Sequence, residues 1–124
     1  EELASLDGIA MPVTRPYVRH AWHLYVIELT AKELQGKRDE VFAAMRAENI
    51  GVNVHYIPVH YHPYYRDHFR LRRGVLPNAE RSYERVLSLP LFPKMTDDDA
   101  SDVVRALRKV IDAKRSTGVH RRAS

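Results

Sequence analysis

Residues 51–66 read GVNVHYIPVHYHPYYR, and the rest of the chain is interpreted around them. Apolar Val52 and Val54 alternate with polar Asn53 and His55, a pattern that predicts a strand with one apolar face and one face carrying the histidine. The two prolines that follow lack a backbone donor and end regular pairing. The stretch therefore predicts a strand that runs into an irregular loop rich in histidine and tyrosine. Such a loop is either packed down or faces a ligand.

Length and composition set the class of protein. The chain has 124 residues, 44% hydrophobic and 29% charged, which is typical of one soluble globular domain. It contains no cysteine, which excludes disulfides and thiolate metal sites. No apolar run is long enough for a membrane span, and the opening EELASL does not read as a signal peptide, so we expect a cytoplasmic protein without a membrane partner. The absence of an initiator methionine favours a piece of a longer chain.

The excess positive charge is small, a formal net +4, and much of it falls in two places. One is the segment 70–76, and the other is the tail 114–124. No recognised nucleic-acid motif accompanies these charges, so we expect a solvated loop and a disordered basic tail and no nucleic-acid partner.

Periodicity and stop signals predict a series of short elements. A helical turn ends at Asp7-Gly8, and Thr96 with Asp99 forms a capping box for the last helix. Trp22 is expected in the core of a central strand. The predicted elements are a turn at 1–6, strands at 21–30, 52–57 and 88–93, and helices at 37–48, 63–69, 77–87 and 96–113. Together they predict an α+β fold, a small mainly antiparallel sheet with helices packed mostly on one face and His55 on the other.

The candidate site residues admit more than one interpretation. Imidazole is the commonest metal ligand, so His55, His60, His62 and His68 could bind Zn²⁺, although no carboxylate stands among the first three. His55 comes from the strand, where it could bind a backbone carbonyl or meet an anionic or hydroxylated ligand. The tyrosines of the loop could stack on a ligand or pack with the phenol at the rim. No nucleophile elbow, phosphate loop or dinucleotide motif is present.

Several motifs occur together in one order. They are WHLYVI at 22–27, NIGV at 49–52, HYIPVH at 55–60, PYYR at 63–66, SLPLFP at 88–93 and MTD at 95–97. In this order they resemble the C-terminal small domain of the DegT/StrS group of sugar-nucleotide aminotransferases, over about Leu3 to Ala113. The form HYIPVH is most similar to the branch that aminates UDP-4-keto-6-deoxy amino sugars on the way to nonulosonic acids.

The resemblance implies a fold-type-I enzyme that uses pyridoxal phosphate (PLP) to move an amino group, usually from glutamate, to a keto-sugar nucleotide. The lysine that anchors PLP and the aspartate that contacts its ring lie in the family's large N-terminal domain. The five lysines here match no such motif: Lys32, Lys37, Lys94, Lys109 and Lys114. We therefore expect a domain covering residues 1–113 that neither binds PLP nor transaminates by itself, within a full-length homodimer.

The resemblance carries over few residues. His55 matches the family's strand histidine, which looks toward the sugar nucleotide. Tyr56 follows it and could line the same cleft, although alternation turns it to the opposite face. Tyr65 and Arg66 match a Tyr-Tyr-Arg pattern that we expect to pack. Two alternatives stay open: a stand-alone binding module with this fold, and a histidine-rich metal-binding domain.

Overall fold

The computed structural model describes the backbone of residues 2–120 and the side chains of residues 2–116. Three strands form one antiparallel sheet in the order β1-β2-β3: β1 (Ile9–Ala10), β2 (Tyr25–Leu29) and β3 (Val86–Leu89). Four α-helices accompany it: α1 (Arg38–Ala47), α2 (Pro63–His68), α3 (Pro77–Tyr83) and α4 (Asp97–His120). Short 3-10 turns occupy Glu2–Ser5, Lys32–Leu34 and Val59–Tyr61. The predicted α+β class with an antiparallel sheet is confirmed.

The core lies between one face of the sheet and the two long helices. Ile27 of β2 is paired with Leu87 of β3, and both side chains are fully buried. Successive strand residues point to opposite faces, so the alternate residues Val26 and Ser88 belong to the other face. The helices contribute an apolar stripe to the same core, which consists of Val41, Met45, Val103, Leu107, Val110 and Ile111. The second face of the sheet is thus left to the segment that follows α1.

The predicted strand 52–57 is wrong as a regular strand. Only Asn53 pairs, in an isolated antiparallel bridge in which its N–H donates to the Ser88 carbonyl at 3.1 Å and its carbonyl accepts from Ser88 at 2.8 Å. This register sets Gly51 opposite Pro90, which has no N–H to donate, so the ladder cannot continue in that direction. Beyond the bridge residues 54–58 belong to no strand or helix, and the side chains of Tyr56 and Ile57 are exposed.

The prediction for Trp22 is also wrong. The strand begins at Tyr25 and not at Ala21, and the Trp22 side chain is 40% exposed. Its ring stacks on that of His20, with centroids 4.0 Å apart, and tilts against Tyr25 at 5.3 Å. An apolar residue just before a strand gives the same sequence pattern as one inside the strand, because hydrophobic periodicity does not show where strand pairing begins.

The predicted helix 77–87 and strand 88–93 are each displaced. The helix ends at Tyr83, and the strand begins at Val86 and ends at Leu89, before Pro90. Leu87, expected on a helix face, is a buried strand residue. Leu87 and Leu89 are two residues apart, so in a strand both side chains point into the core, and this spacing favours a strand over a helix at this segment.

The last helix begins as predicted and continues further. The Thr96 hydroxyl accepts from the Asp99 N–H at 3.1 Å, and an Asp99 carboxylate oxygen accepts from the Thr96 N–H at 2.8 Å, completing the capping box. The helix does not end at Ala113: its backbone continues through residues predicted as a disordered tail, where Lys114 and Arg115 bond to acidic side chains of the domain. Residues 121–124 of that predicted tail lie outside the described residues. In the described part of the chain, no helix combines the length and apolarity needed to cross a bilayer.

Candidate functional site

His55 lies on the sheet face that the helices leave open. It follows the bridge at Asn53, and its Nδ1 lies 2.8 Å from Oγ of Ser88 on β3. Ser88 is 3% exposed, whereas the His55 ring is half-buried. Because Ser88 points away from Leu87 and Leu89, the hydrogen bond fixes the imidazole on the second face of the sheet. The predicted placement of His55 opposite the helices agrees with this geometry.

Tyr56 lies beside His55 and not on the opposite face. Its ring meets the imidazole edge-on, with centroids 4.7 Å apart, and it is 71% exposed. The alternation that predicted separate faces holds only for a regular strand, and the chain is irregular after Asn53. The two residues named from sequence therefore form one exposed patch.

His60 is a structural residue. It is 3% exposed, and its Nε2 donates to a carboxylate oxygen of Glu80 at 3.0 Å. The Glu80 carboxylate also accepts the Gly74 N–H through both oxygens at 2.8 Å and the Leu76 N–H at 3.3 Å. These contacts hold the basic loop, residues 70–76, against α3. The Gly74 hydrogen bond is the main reason why the pKa of Glu80 lies below its usual value, although burial opposes that effect.

Tyr61 joins the same group of contacts. The Arg73 guanidinium lies 4.8 Å from the centre of its ring, and the Tyr83 ring meets it edge-on at 6.0 Å. Burial, followed by the nearby Glu80 carboxylate, raises the pKa of Tyr61. Among the described residues the buried Tyr61 hydroxyl has no acceptor in hydrogen-bonding geometry, so the effect of Glu80 is one of proximity. This part of the tyrosine-rich loop therefore packs against the basic loop and α3.

The remaining histidines do not join His55. His62 is exposed, and His68 stacks on Tyr64 within α2, with centroids 5.4 Å apart. Within residues 2–116 no three or more His, Cys, Asp or Glu side chains come together as metal ligands. The metal-binding interpretation therefore loses the convergent set of ligands that it requires.

The motif residues of α2 are more exposed than the sequence predicts. Tyr65 stacks on Phe69 with centroids 6.1 Å apart but stays exposed, and Arg66 forms an exposed ion pair with its neighbour Asp67. The expectation that Tyr65 and Arg66 pack into the domain is wrong for Arg66. Its short loop helix has no buried face.

The five lysines do not fit a PLP anchor in this chain. A Schiff-base lysine must lose its proton, which burial favours, yet none of the five is buried. Lys109 donates to both carboxylate oxygens of Glu48 at 2.8 Å, and Lys114 donates to Glu40 at 2.7 Å. No chemical step is therefore assigned to PLP within these residues.

Sequence reasoning missed Ser88 and Glu80, which orient His55 and His60. Ser88 is the one polar residue in the apolar run VLSLPLF at 86–92, and a lone hydroxyl in such a run signals a buried partner. Glu80 carries no comparable signal, because acidic residues are common near the start of a helix.

The fold and the site define a small α+β domain that presents one oriented histidine. The sequence model of the DegT/DnrJ/EryC1/StrS aminotransferase family matches residues 1–108, and the chain belongs to this family.

Known relatives agree with that assignment. The spore coat polysaccharide biosynthesis protein SpsC of Bacillus subtilis is 45% identical over 107 residues, which are 86% of this chain and 28% of SpsC. The structure of S. venezuelae DesV, solved with a ketimine intermediate, is 36% identical with a TM-score of 0.75, covering 87% of this chain and 28% of DesV. DesI, solved with its TDP-sugar product, is 27% identical with a TM-score of 0.75, covering 97% of this chain and 30% of DesI. The chain thus spans less than a third of the length of these relatives.

Proposed function

We propose that this chain is the C-terminal small domain of a PLP-dependent aminotransferase that transfers an amino group, from glutamate, to a keto-sugar nucleotide. The observation that carries the proposal is the match of the aminotransferase family to residues 1–108. Two relatives support a sugar substrate: SpsC is a spore coat polysaccharide biosynthesis protein, and DesI was solved in the presence of its TDP-sugar product. The chain covers only 28–30% of these relatives, and the proposal assigns the remaining machinery to a large domain of the same protein.

In this proposal His55 forms one wall of the substrate cleft. Its ring is oriented by Ser88 and half-buried, so an imidazole edge is available to a polar ligand without being free to rotate. Tyr56 stands next to it with most of its side chain exposed, and its ring can cover a sugar face. Both residues bind and orient the substrate. Neither takes part in a proton transfer.

PLP belongs to the large domain, where it supplies the electron sink for amino transfer. The residues of this chain position the substrate. A side chain that holds the keto sugar in one orientation raises the fraction of encounters that can react, and small displacements of such groups lower rates strongly. The narrower assignment, to UDP-4-keto-6-deoxy amino sugars, rests on the motif HYIPVH at 55–60.

The exposed apolar side chains support a covering domain. Neighbouring apolar side chains that are exposed together are typical of an interface. Near the candidate site they are Tyr56, Ile57 and Val59, and elsewhere Met11, Val13, Tyr17, Val18, Trp22, Tyr64, Tyr65, Phe69, Val75, Leu76, Leu91 and Phe92. We assign the surface that covers these side chains to the large domain of the same protein. The full-length protein is then a cytoplasmic homodimer.

The test uses the full-length protein that contains this chain. The protein is supplied with PLP, glutamate and a 4-keto-6-deoxy sugar linked to UDP, and 2-oxoglutarate and amino sugar are measured together. We expect equal amounts of the two products, and little turnover with the TDP-linked or nucleotide-free sugar. Turnover of a 2-oxo acid in place of the sugar nucleotide would refute the substrate class. Absence of any amino transfer would refute the enzyme class.

A further inference from the structure

Ser88 is an unusual residue for its position. It lies in the middle of β3, where its neighbours are buried leucines, and it is itself 3% exposed. Its backbone N–H and carbonyl are used by the bridge to Asn53. Its hydroxyl has one hydrogen-bond partner among the described side chains, Nδ1 of His55 at 2.8 Å. A buried hydroxyl without a partner is destabilising, so this contact explains why a serine is compatible with the site.

The direction of that hydrogen bond follows from counting donors. A serine hydroxyl has one proton to donate, and a neutral imidazole has one N–H and one bare nitrogen. If His55 Nδ1–H donated to Ser88, the serine proton would be left buried without an acceptor. If Ser88 donates to a bare Nδ1, the buried serine proton has an acceptor and Nδ1 has a donor. The second arrangement puts the ring proton on Nε2.

We infer that Ser88 is a positioning residue that holds His55 in the Nε2–H tautomer, so that the ring presents an N–H donor to an acceptor oxygen of the ligand. Nε2 has no hydrogen-bond partner among residues 2–116, which leaves this donor available. The inference rests on the proposed function, and the acceptor is then an oxygen of the keto-sugar nucleotide. Such an oxygen is recognised by a donor, and the opposite tautomer would present a bare nitrogen lone pair and repel it.

The bond also fixes the ring orientation. Nδ1 of the imidazole is hydrogen-bonded to Ser88 on β3, and the Tyr56 ring packs against the imidazole with the two ring centroids 4.7 Å apart. A side chain that is ordered before binding loses less conformational entropy when the ligand arrives. Loss of the Ser88 hydroxyl should therefore affect both the tautomer and the affinity.

The first measurement is the tautomer itself. Full-length protein labelled with ¹⁵N-histidine is studied by NMR above about pH 8.5, where ordinary imidazoles are neutral. Loss of the His55 signal in His55→Ala assigns the resonance. We expect the Nε2–H tautomer in the wild type and in Ser88→Thr, and a mixture in Ser88→Ala. Ser82→Ala is the matched control, because it removes an exposed serine hydroxyl from α3. An Nδ1–H tautomer in the wild type, or an unchanged spectrum in Ser88→Ala, would overturn the inference.

The second measurement is the dissociation constant of the UDP-linked 4-keto-6-deoxy sugar, measured by calorimetry on the same proteins. We expect Ser88→Ala to weaken binding about fivefold, the equivalent of one ordinary hydrogen bond, and Ser88→Thr to restore it. If Ser88→Ala changes the tautomer but not the affinity, Ser88 still sets the tautomer, and the substrate contact of His55 is refuted. If both stay unchanged, the positioning role of Ser88 is refuted.

Discussion

Replacing Gly8 by alanine should destabilise the domain strongly, because two independent costs fall on one methyl group. Gly8 has a φ of +96°, which alanine adopts only with strain. A Cβ at this position would also lie 2.9 Å from the Cβ of Ala31, closer than two carbons tolerate. The Gly8 carbonyl accepts the N–H groups of Thr30 and Ala31, so the two segments cannot separate without losing hydrogen bonds.

The expected cost combines the two effects. Strain at such a backbone angle amounts to about 1–2 kcal/mol, and forced overpacking adds about 1–2 kcal/mol. Gly8→Ala should thus lower the free energy of unfolding by about 2–4 kcal/mol, which corresponds to a fall in Tm of roughly 8–16 °C for a domain of this size. Gly36→Ala is the matched control: its φ is +72°, but nothing lies within 4 Å of the added methyl group, so it bears the strain alone.

The assay is urea unfolding followed by circular dichroism. A double-mutant cycle separates the contact from the strain: Ala31→Gly removes the opposing Cβ, so Gly8→Ala should cost about 1–2 kcal/mol less in that background. If Gly8→Ala proves no worse than Gly36→Ala, the close approach of β1 to the segment after β2 is refuted. If the cycle shows no coupling, the contact with Ala31 is not the cause.

Four further predictions concern the helix cap, the basic loop and the cofactor. Thr96→Ala should lower the free energy of unfolding by about 1 kcal/mol in urea titrations, with Thr30→Ala as comparison. Hydrogen bonds from Thr96 lower the pKa of Asp99, so the ionised carboxylate stabilises the fold above the ordinary aspartate pKa and this stabilisation is lost as the pH falls. Asp99→Asn should therefore reduce the loss of unfolding free energy at acid pH. An unchanged acid dependence of the unfolding free energy would contradict the assignment. Glu80→Gln should speed tryptic cleavage in the basic loop, because glutamine offers one acceptor oxygen in place of two, whereas the exposed Glu84→Gln should not. The chain by itself, mixed with PLP and treated with borohydride, should retain no cofactor on its lysines; a stoichiometric adduct would refute this.

Local signals predicted the elements that depend on nearby residues. The capping pair Thr96 and Asp99 and the helix that follows it were readable because a cap and its helix lie within a few residues. The turn at Gly8 was readable for the same reason. The family resemblance added the class of protein and the candidate residue His55, because its motifs extend along most of the chain.

Contacts between distant segments were not predictable in the same way. The strand expected at 52–57 is reduced to one bridge, whose partner Ser88 lies far along the chain. The partner of His55 is Ser88, and the partner of His60 is Glu80; neither pair follows a sequence period. Trp22 is exposed because β2 begins only at Tyr25, and the hydrophobic pattern of the sequence does not show where a strand begins. The sequence thus predicts His55 as the candidate residue, whereas the orientation of its ring depends on the fold.

Affinity for the sugar nucleotide tests the central claim most directly. The dissociation constant of the UDP-linked 4-keto-6-deoxy sugar is measured by calorimetry on full-length wild type, His55→Ala and His62→Ala, the last being an exposed histidine of the same loop. The account predicts about tenfold weaker binding for His55→Ala, as expected for the loss of one hydrogen bond together with a ring contact, and no change for His62→Ala. Equal affinity of His55→Ala and wild type, with the PLP absorbance of both proteins intact, would contradict the assignment of His55 to the substrate cleft.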